Sequence, residues 1–134
     1  MFYKWDVETD EITKCDVNEF CERYEREVDA KESGDPNPRR LELKEFKIFG
    51  FTIAWVSTVF LGVDHSWDDA DMPLLFETMV FPGGSYLESY CERYETSEEA
   101  RRGHKIAVRW TFWRLPKFLY LRLKDKLGKG DGDW

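Results

Sequence analysis

From Ile48 to Val63 the chain reads IFGFTIAWVSTVFLGV, a stretch of sixteen residues without a charge. Such a run has to be buried, either as a helix in a bilayer or as strands inside a sheet. A spanning helix needs about twenty apolar residues, which is more than this stretch supplies. Its β-branched and aromatic residues, and the glycine at position 50, predict two buried strands that meet near Gly50. LELKEFKIF (41–49) and FTIAWVSTVFLG (51–62) then form a hairpin. LLFETMVF (74–81) makes a further strand, and PGGS (82–85) supplies a turn from residues that tolerate unusual backbone angles.

Helices flank these strands. In CDVNEFCERYEREVDAKE (15–32), Val17, Phe20, Cys21, Tyr24 and Val28 recur at helical spacing and predict one buried face, with Cys21 turned to the core as a small hydrophobe. Asp16 is placed to cap the first turn, with Glu19 three residues later. Gly34, Pro36 and Pro38 end the helix. Before it, KWDVETDEIT reads as a short, partly extended start. A second helix opens at Thr96, where Ser97, Glu98 and Glu99 provide an acidic first turn. It runs to Leu115, with Ala100, Ile106, Ala107, Trp110 and Trp113 as its apolar side, until Pro116 breaks or restarts it. PKFLYLRLKDKLGKG (116–130) reads as a further helix with Leu119, Leu123 and Leu127 on one side, although Leu119, Leu121 and Leu123 also alternate as in a strand.

Six letters nearly repeat: FCERYE at 20–25 and YCERYE at 90–95. The second copy is locally ambiguous. Leu87, Tyr90, Cys91 and Tyr94 would line a helix capped by Ser85 and Glu88, whereas Tyr86, Tyr90 and Tyr94 suit one face of a strand. The preceding turn and the helix start at Thr96 favour a strand that pairs back on LLFETMVF. The residues flanking the two copies do not match, so the repetition marks no structural unit.

The predicted architecture is an α+β domain over residues 1–127, followed by a flexible tail at 128–134. An antiparallel sheet of three or four strands packs with one N-terminal helix and one or two C-terminal helices. A chain of 134 residues is long enough for one core of this kind.

The middle of the chain also carries a pattern of words: STVFLGVDH, LLFETMVF, and ERYETSEEARRGH. Together they resemble a group of small proteins encoded in tailed-phage and prophage genomes. The resemblance spans about Trp55 to His104. It implies origin and strand order, and it brings no established activity.

Chemistry-bearing residues are sparse. His65 and His104, with Asp64 and Glu77, form a conceivable metal or acid–base set, but their spacing matches no metal motif, and a structural role for both histidines ranks first. Asp64, Asp68, Asp69 and Asp71 lack the register of a calcium loop. With His65 and Trp67 they make an acidic loop suited to anchoring a protein partner. Cys15, Cys21 and Cys91 form no CxxC pair, which predicts neither a disulfide framework nor a zinc knuckle. No nucleophile elbow, phosphate loop or dinucleotide fingerprint is present, so no catalytic residue and no cofactor is expected. The acidic N-terminus has no apolar core of the signal-peptide kind, which predicts a cytoplasmic protein, in the host cytoplasm if phage-encoded.

Charge is unevenly spread. Residues 101–134 hold ten basic and three acidic side chains, within a chain of net charge −7. Attraction between two parts of one fold explains this first. The basic and aromatic segment 101–129 is expected to roof the sheet, ahead of contacting nucleic acid or an anionic membrane. The function expected from these features is that of a phage- or prophage-type accessory protein that binds a host or phage macromolecule, for instance as an inhibitor of a defence system. A metal-dependent hydrolase using His65, His104 and nearby carboxylates is the alternative.

Overall fold

The uncharged run folds as strands of a sheet: Ile53, Ala54, Val56, Thr58 and Phe60 are buried, whereas the expected burial fails at Phe49 and Phe51, which are exposed around the turn. The computed structural model describes residues 1–32, 39–63, 73–83 and 89–128, with side chains through Glu27 in the first stretch and through Lys124 in the last. The elements in order are β1 (Phe2–Asp6), β2 (Glu11–Cys15), α1 (Val17–Glu32), β3 (Arg40–Ile48), β4 (Phe51–Phe60), β5 (Phe76–Pro82), β6 (Tyr90–Tyr94), α2 (Ser97–Phe112) and α3 (Leu115–Gly128). The fold is α+β. A four-stranded antiparallel sheet runs β3-β4-β5-β6, and β1 and β2 form a separate two-stranded sheet.

β3 and β4 are joined by the two residues Phe49 and Gly50, since Ile48 pairs with Phe51. Both loop residues have positive φ, 52° at Phe49 and 81° at Gly50. This is the geometry of a primed two-residue turn, whose twist matches that of the strands it connects. YCERYE forms β6, so the two similar hexapeptides adopt different structures: the first lies in α1 and the second is a strand.

One face of the four-stranded sheet carries Ala54, Val56, Thr58 and Phe60 from β4 and Phe76, Thr78 and Val80 from β5, all buried. Helix α2 packs on this face. The Thr96 hydroxyl caps it by accepting from the Glu99 amide at 3.2 Å. Its buried residues are Ser97, Ala100, Gly103, His104, Ala107 and Thr111, a stripe at helical spacing built mostly from small side chains. Small residues let the helix axis approach the sheet closely. Gly103 is the tightest point, where a methyl group would overlap the Tyr94 ring.

This stripe corrects the expected apolar side of α2. Ala100, Ala107 and Trp110 do face the sheet, but Ile106 and Trp113 are exposed. At about 100° per residue both lie nearly opposite the Ala100–Ala107–Thr111 line, so the sheet can take one set or the other. Pro116 restarts the helix as the second residue of α3, within the first turn, where a backbone N–H has no intrahelical partner to lose. α3 docks through Leu115, Phe118 and Leu119 against Ile53 and Ala54. Leu123, expected on the inner side, is exposed. The inner line follows i, i+3, i+4 from Leu115 and rotates past position 123. Leu127 lies outside the described side chains.

The N-terminal region holds more structure than its sequence announced. Trp5 of β1 is buried, with its ring 5.6 Å from Phe76 and 5.9 Å from Phe60. Its indole N–H donates to Asp10 at 2.8 Å, and the Ser97 hydroxyl donates to the other oxygen of the same carboxylate. The β1–β2 hairpin is thereby pinned to the start of α2. Helix α1 is capped as expected, with Asp16 accepting from the Glu19 amide at 2.8 Å. Most of its expected buried face is not realised: Val17, Cys21 and Tyr24 are exposed and Phe20 is half-buried, while Val28 lies outside the described side chains. α1 lies against the narrow hairpin rather than the large sheet, with the Phe20 ring 4.8 Å from Phe2, so there is little surface to cover more than one line of side chains.

Candidate interaction surface

The acidic-loop residues Asp64, His65, Trp67, Asp68, Asp69 and Asp71 lie outside the described residues, as does the loop's expected role as a binding face. The other two members of the metal set, Glu77 and His104, are described, and the fold does not bring them together. Glu77 is buried on β5 and pairs with Arg93, whose Nε lies 2.9 Å away. Adjacent strand residues point to opposite faces, and the neighbouring Thr78 points toward α2. Glu77 therefore projects from the reverse face of the sheet. Among the described residues, no group of three His, Cys, Asp or Glu side chains could hold a metal ion.

His104 sits in a cluster that spacing did not reveal. Its Nδ1 is 2.8 Å from the Thr58 hydroxyl, which is 2.6 Å from the Thr78 hydroxyl. On the other side, Nε2 is 3.7 Å from a Glu42 oxygen. One proton arrangement satisfies the chain: Thr78 donates to Thr58, Thr58 donates to Nδ1, and Nε2–H points at Glu42. The order carboxylate, imidazole, hydroxyl is that of a hydrolytic triad. Thr58 and Thr78 are wholly buried between sheet and helix, however, and no substrate reaches a nucleophile placed there. Burial pushes the His104 pKa below its ordinary value, with Glu42 acting in the opposite sense, so the ring is neutral near pH 7. The cluster is a satisfied polar seam inside the core. The only sequence signal for it was the pairing of two threonines on neighbouring strands.

A cavity of about 520 Å³ lies between the β1–β2 hairpin and α1. Three of its charged lining residues are in ion pairs: Lys4 with Glu19 at 2.7 Å, and Arg39 with Glu27 at 3.0 Å. The Arg39 guanidinium also lies 5.5 to 5.8 Å from the rings of Phe20, Tyr24 and Phe60. Arg39 and the three rings thus already hold one another, while Asp6, Glu11 and Arg23 complete the charged lining.

The outward side of α2 and α3 is different. The expectation that segment 101–129 roofs the sheet holds for Trp110, Leu115, Phe118 and Leu119. The remaining large side chains turn away: Phe112 is 55% exposed, Trp113 76% and Tyr120 62%. Ile106, Leu121 and Leu123 are exposed as well. On α2, Arg102, Lys105, Ile106, Arg109 and Trp113 share one outward stripe by helical spacing, and on α3 Lys117, Tyr120, Leu121 and Lys124 share another. From Ala100 to Lys124 there are eight basic residues and no acidic one. Arg102 pairs with Glu98 at 3.1 Å, and Arg114 lies 4.0 Å from the Trp110 ring centroid. Lys105, Arg109, Lys117 and Lys124 make no ion pair among the described residues. Their ammonium and guanidinium groups, with apolar side chains between them, are presented to solvent.

Comparison with protein-family models, with curated proteins and with solved structures finds no match to this chain.

Proposed function

We propose that this chain is an accessory protein of the phage or prophage type that works by binding rather than by catalysis. Its docking face is the outward side of α2 and α3, and the partner's surface is anionic. The observation that carries this reading is the acid-free run from Ala100 to Lys124 with its unpaired cations exposed. Cations clustered without carboxylates between them create a local positive potential even on a chain of net charge −7. Among the described residues, the triad-like cluster of Glu42, His104 and Thr58 is sealed beneath α2, which favours binding over catalysis there. The alternative of a metal-dependent hydrolase using His65, His104 and nearby carboxylates loses Glu77 from its set, because Glu77 projects from the reverse face of the sheet, while Asp64 and His65 lie outside the described residues.

The test is retention on immobilised heparin, a polyanion that stands for no particular partner. The full chain is expected to be retained at low salt and released as ionic strength rises, since exposed charges are screened over about 8–10 Å at physiological salt. The triple variant Lys105→Glu, Arg109→Glu, Lys117→Glu is expected to flow through. A wild-type chain that is not retained at low salt removes the proposal.

A further inference from the structure

The same face is more than a positive patch, and its apolar half points to one class of partner. We infer that the anionic surface bound by α2 and α3 is that of a lipid bilayer, an inference that rests on the polyanion-binding reading above.

Six large apolar side chains stand exposed among the cations: Ile106, Phe112 and Trp113 on α2 and its C-terminal turn, and Tyr120, Leu121 and Leu123 on α3. A nucleic acid has use for some of these. Aromatic rings stack on bases, and lysine and arginine contact phosphates. Ile106, Leu121 and Leu123 offer neither a π face nor a hydrogen bond, and a polynucleotide provides no apolar depth to receive them. A bilayer interface accommodates every member of the set. Tryptophan and tyrosine settle at the level of the headgroups. Isoleucine, leucine and phenylalanine enter the boundary with the acyl chains. Lysine and arginine meet the anionic headgroups.

The arrangement along the chain fits as well. α2 and α3 each put apolar and basic side chains on the same outward stripe, so insertion and headgroup contact occur together. Membrane attachment by a surface of this kind needs two signals, apolar insertion and charge, because one alone holds weakly. The acidic side chains that outnumber the basic ones over the first hundred residues are repelled by the same surface, which orients the molecule with the helices down. No described helix is long and apolar enough to cross a membrane, and this mode of binding requires only an interface.

The experiment is co-sedimentation of the full chain with vesicles of phosphatidylcholine alone and of phosphatidylcholine with phosphatidylserine, beside a titration with a single-stranded and a duplex DNA oligonucleotide. Binding to the serine-containing vesicles is expected at least tenfold tighter than to phosphatidylcholine. The pair Trp113→Ser, Leu121→Ser, which keeps every cation of the face, is expected to weaken vesicle binding at least tenfold with the circular dichroism spectrum unchanged. Both positions are exposed, so the fold survives the substitutions. Heparin retention with DNA binding and no vesicle binding overturns the lipid assignment and leaves the polyanion reading intact. Failure to bind heparin, DNA and vesicles overturns both. Vesicle binding that the serine variant does not weaken also overturns the inference, as does a solution dimer that this variant dissolves, which would assign the face to a second copy of the chain.

Discussion

His104 is held neutral by its burial, and this has a consequence for stability. Its folded pKa is depressed, so below about pH 6.5, the ordinary histidine value, the unfolded chain takes up a proton that the folded chain resists. Stability contributed by this site is therefore complete above the ordinary value and is lost as pH falls through the window beneath it. The melting temperature is expected to fall between about pH 7 and about pH 5, and the His104→Gln variant is expected to show a flatter profile over that range. An unchanged profile in the variant would place the sensitivity elsewhere. Beside it, Gly103 leaves room for the Tyr94 ring. Gly103→Ala is expected to cost about 2 kcal/mol through overpacking, despite the better helix propensity of alanine. Urea denaturation measures the loss, and a more stable variant would contradict the close approach.

Two connections set the geometry of the elements. The β3–β4 turn places Phe49 at φ 52° with its side chain almost wholly in solvent. A bulky residue pays for that backbone angle without packing in return, whereas asparagine tolerates it. Phe49→Asn is expected to stabilise the protein by about 1 kcal/mol, read as a higher urea midpoint at an unchanged slope. The second connection is Arg39, which joins α1 to the start of β3 through Glu27, three aromatic rings and the Leu61 carbonyl. Burial lowers the Arg39 pKa and raises that of Glu27, so the pair persists only because each charge answers the other. Arg39→Ala is expected to cost about 2 to 3 kcal/mol, reduced from the value for a fully buried pair by its residual exposure. Faster hydrogen exchange confined to α1 and the β1–β2 hairpin would show which element it secures.

For the molecule as a whole, the run from Arg101 to Lys124 gives the outward side of α2 and α3 an excess of cations, with Glu98 as an exposed carboxylate at its start. Binding through that side is expected to weaken steeply with salt, whereas the fold, held by the Ile53–Ala54–Phe118 and Val56–Val80–Ala107 clusters, is expected to lose little stability. A parallel salt titration of heparin or vesicle binding and of the melting temperature separates the two. Much of this architecture is written locally. The uncharged run with its glycine determined the hairpin, Asp16 and Thr96 determined where helices begin, and the signals around YCERYE determined its strand, because turns, caps and alternation act over a few residues. Pairings far apart in sequence were decided only in the folded chain. Trp5 with Phe76, Asp10 with Ser97, and Thr58 with His104 carry no local signature, since each side chain alone suits many environments. The direction faced by Ile106, Trp113 and Leu123 was decided there too. Helical periodicity offers more than one apolar line, and the sheet buries the one whose small residues allow the closest approach, leaving the other line to solvent and to whatever binds it.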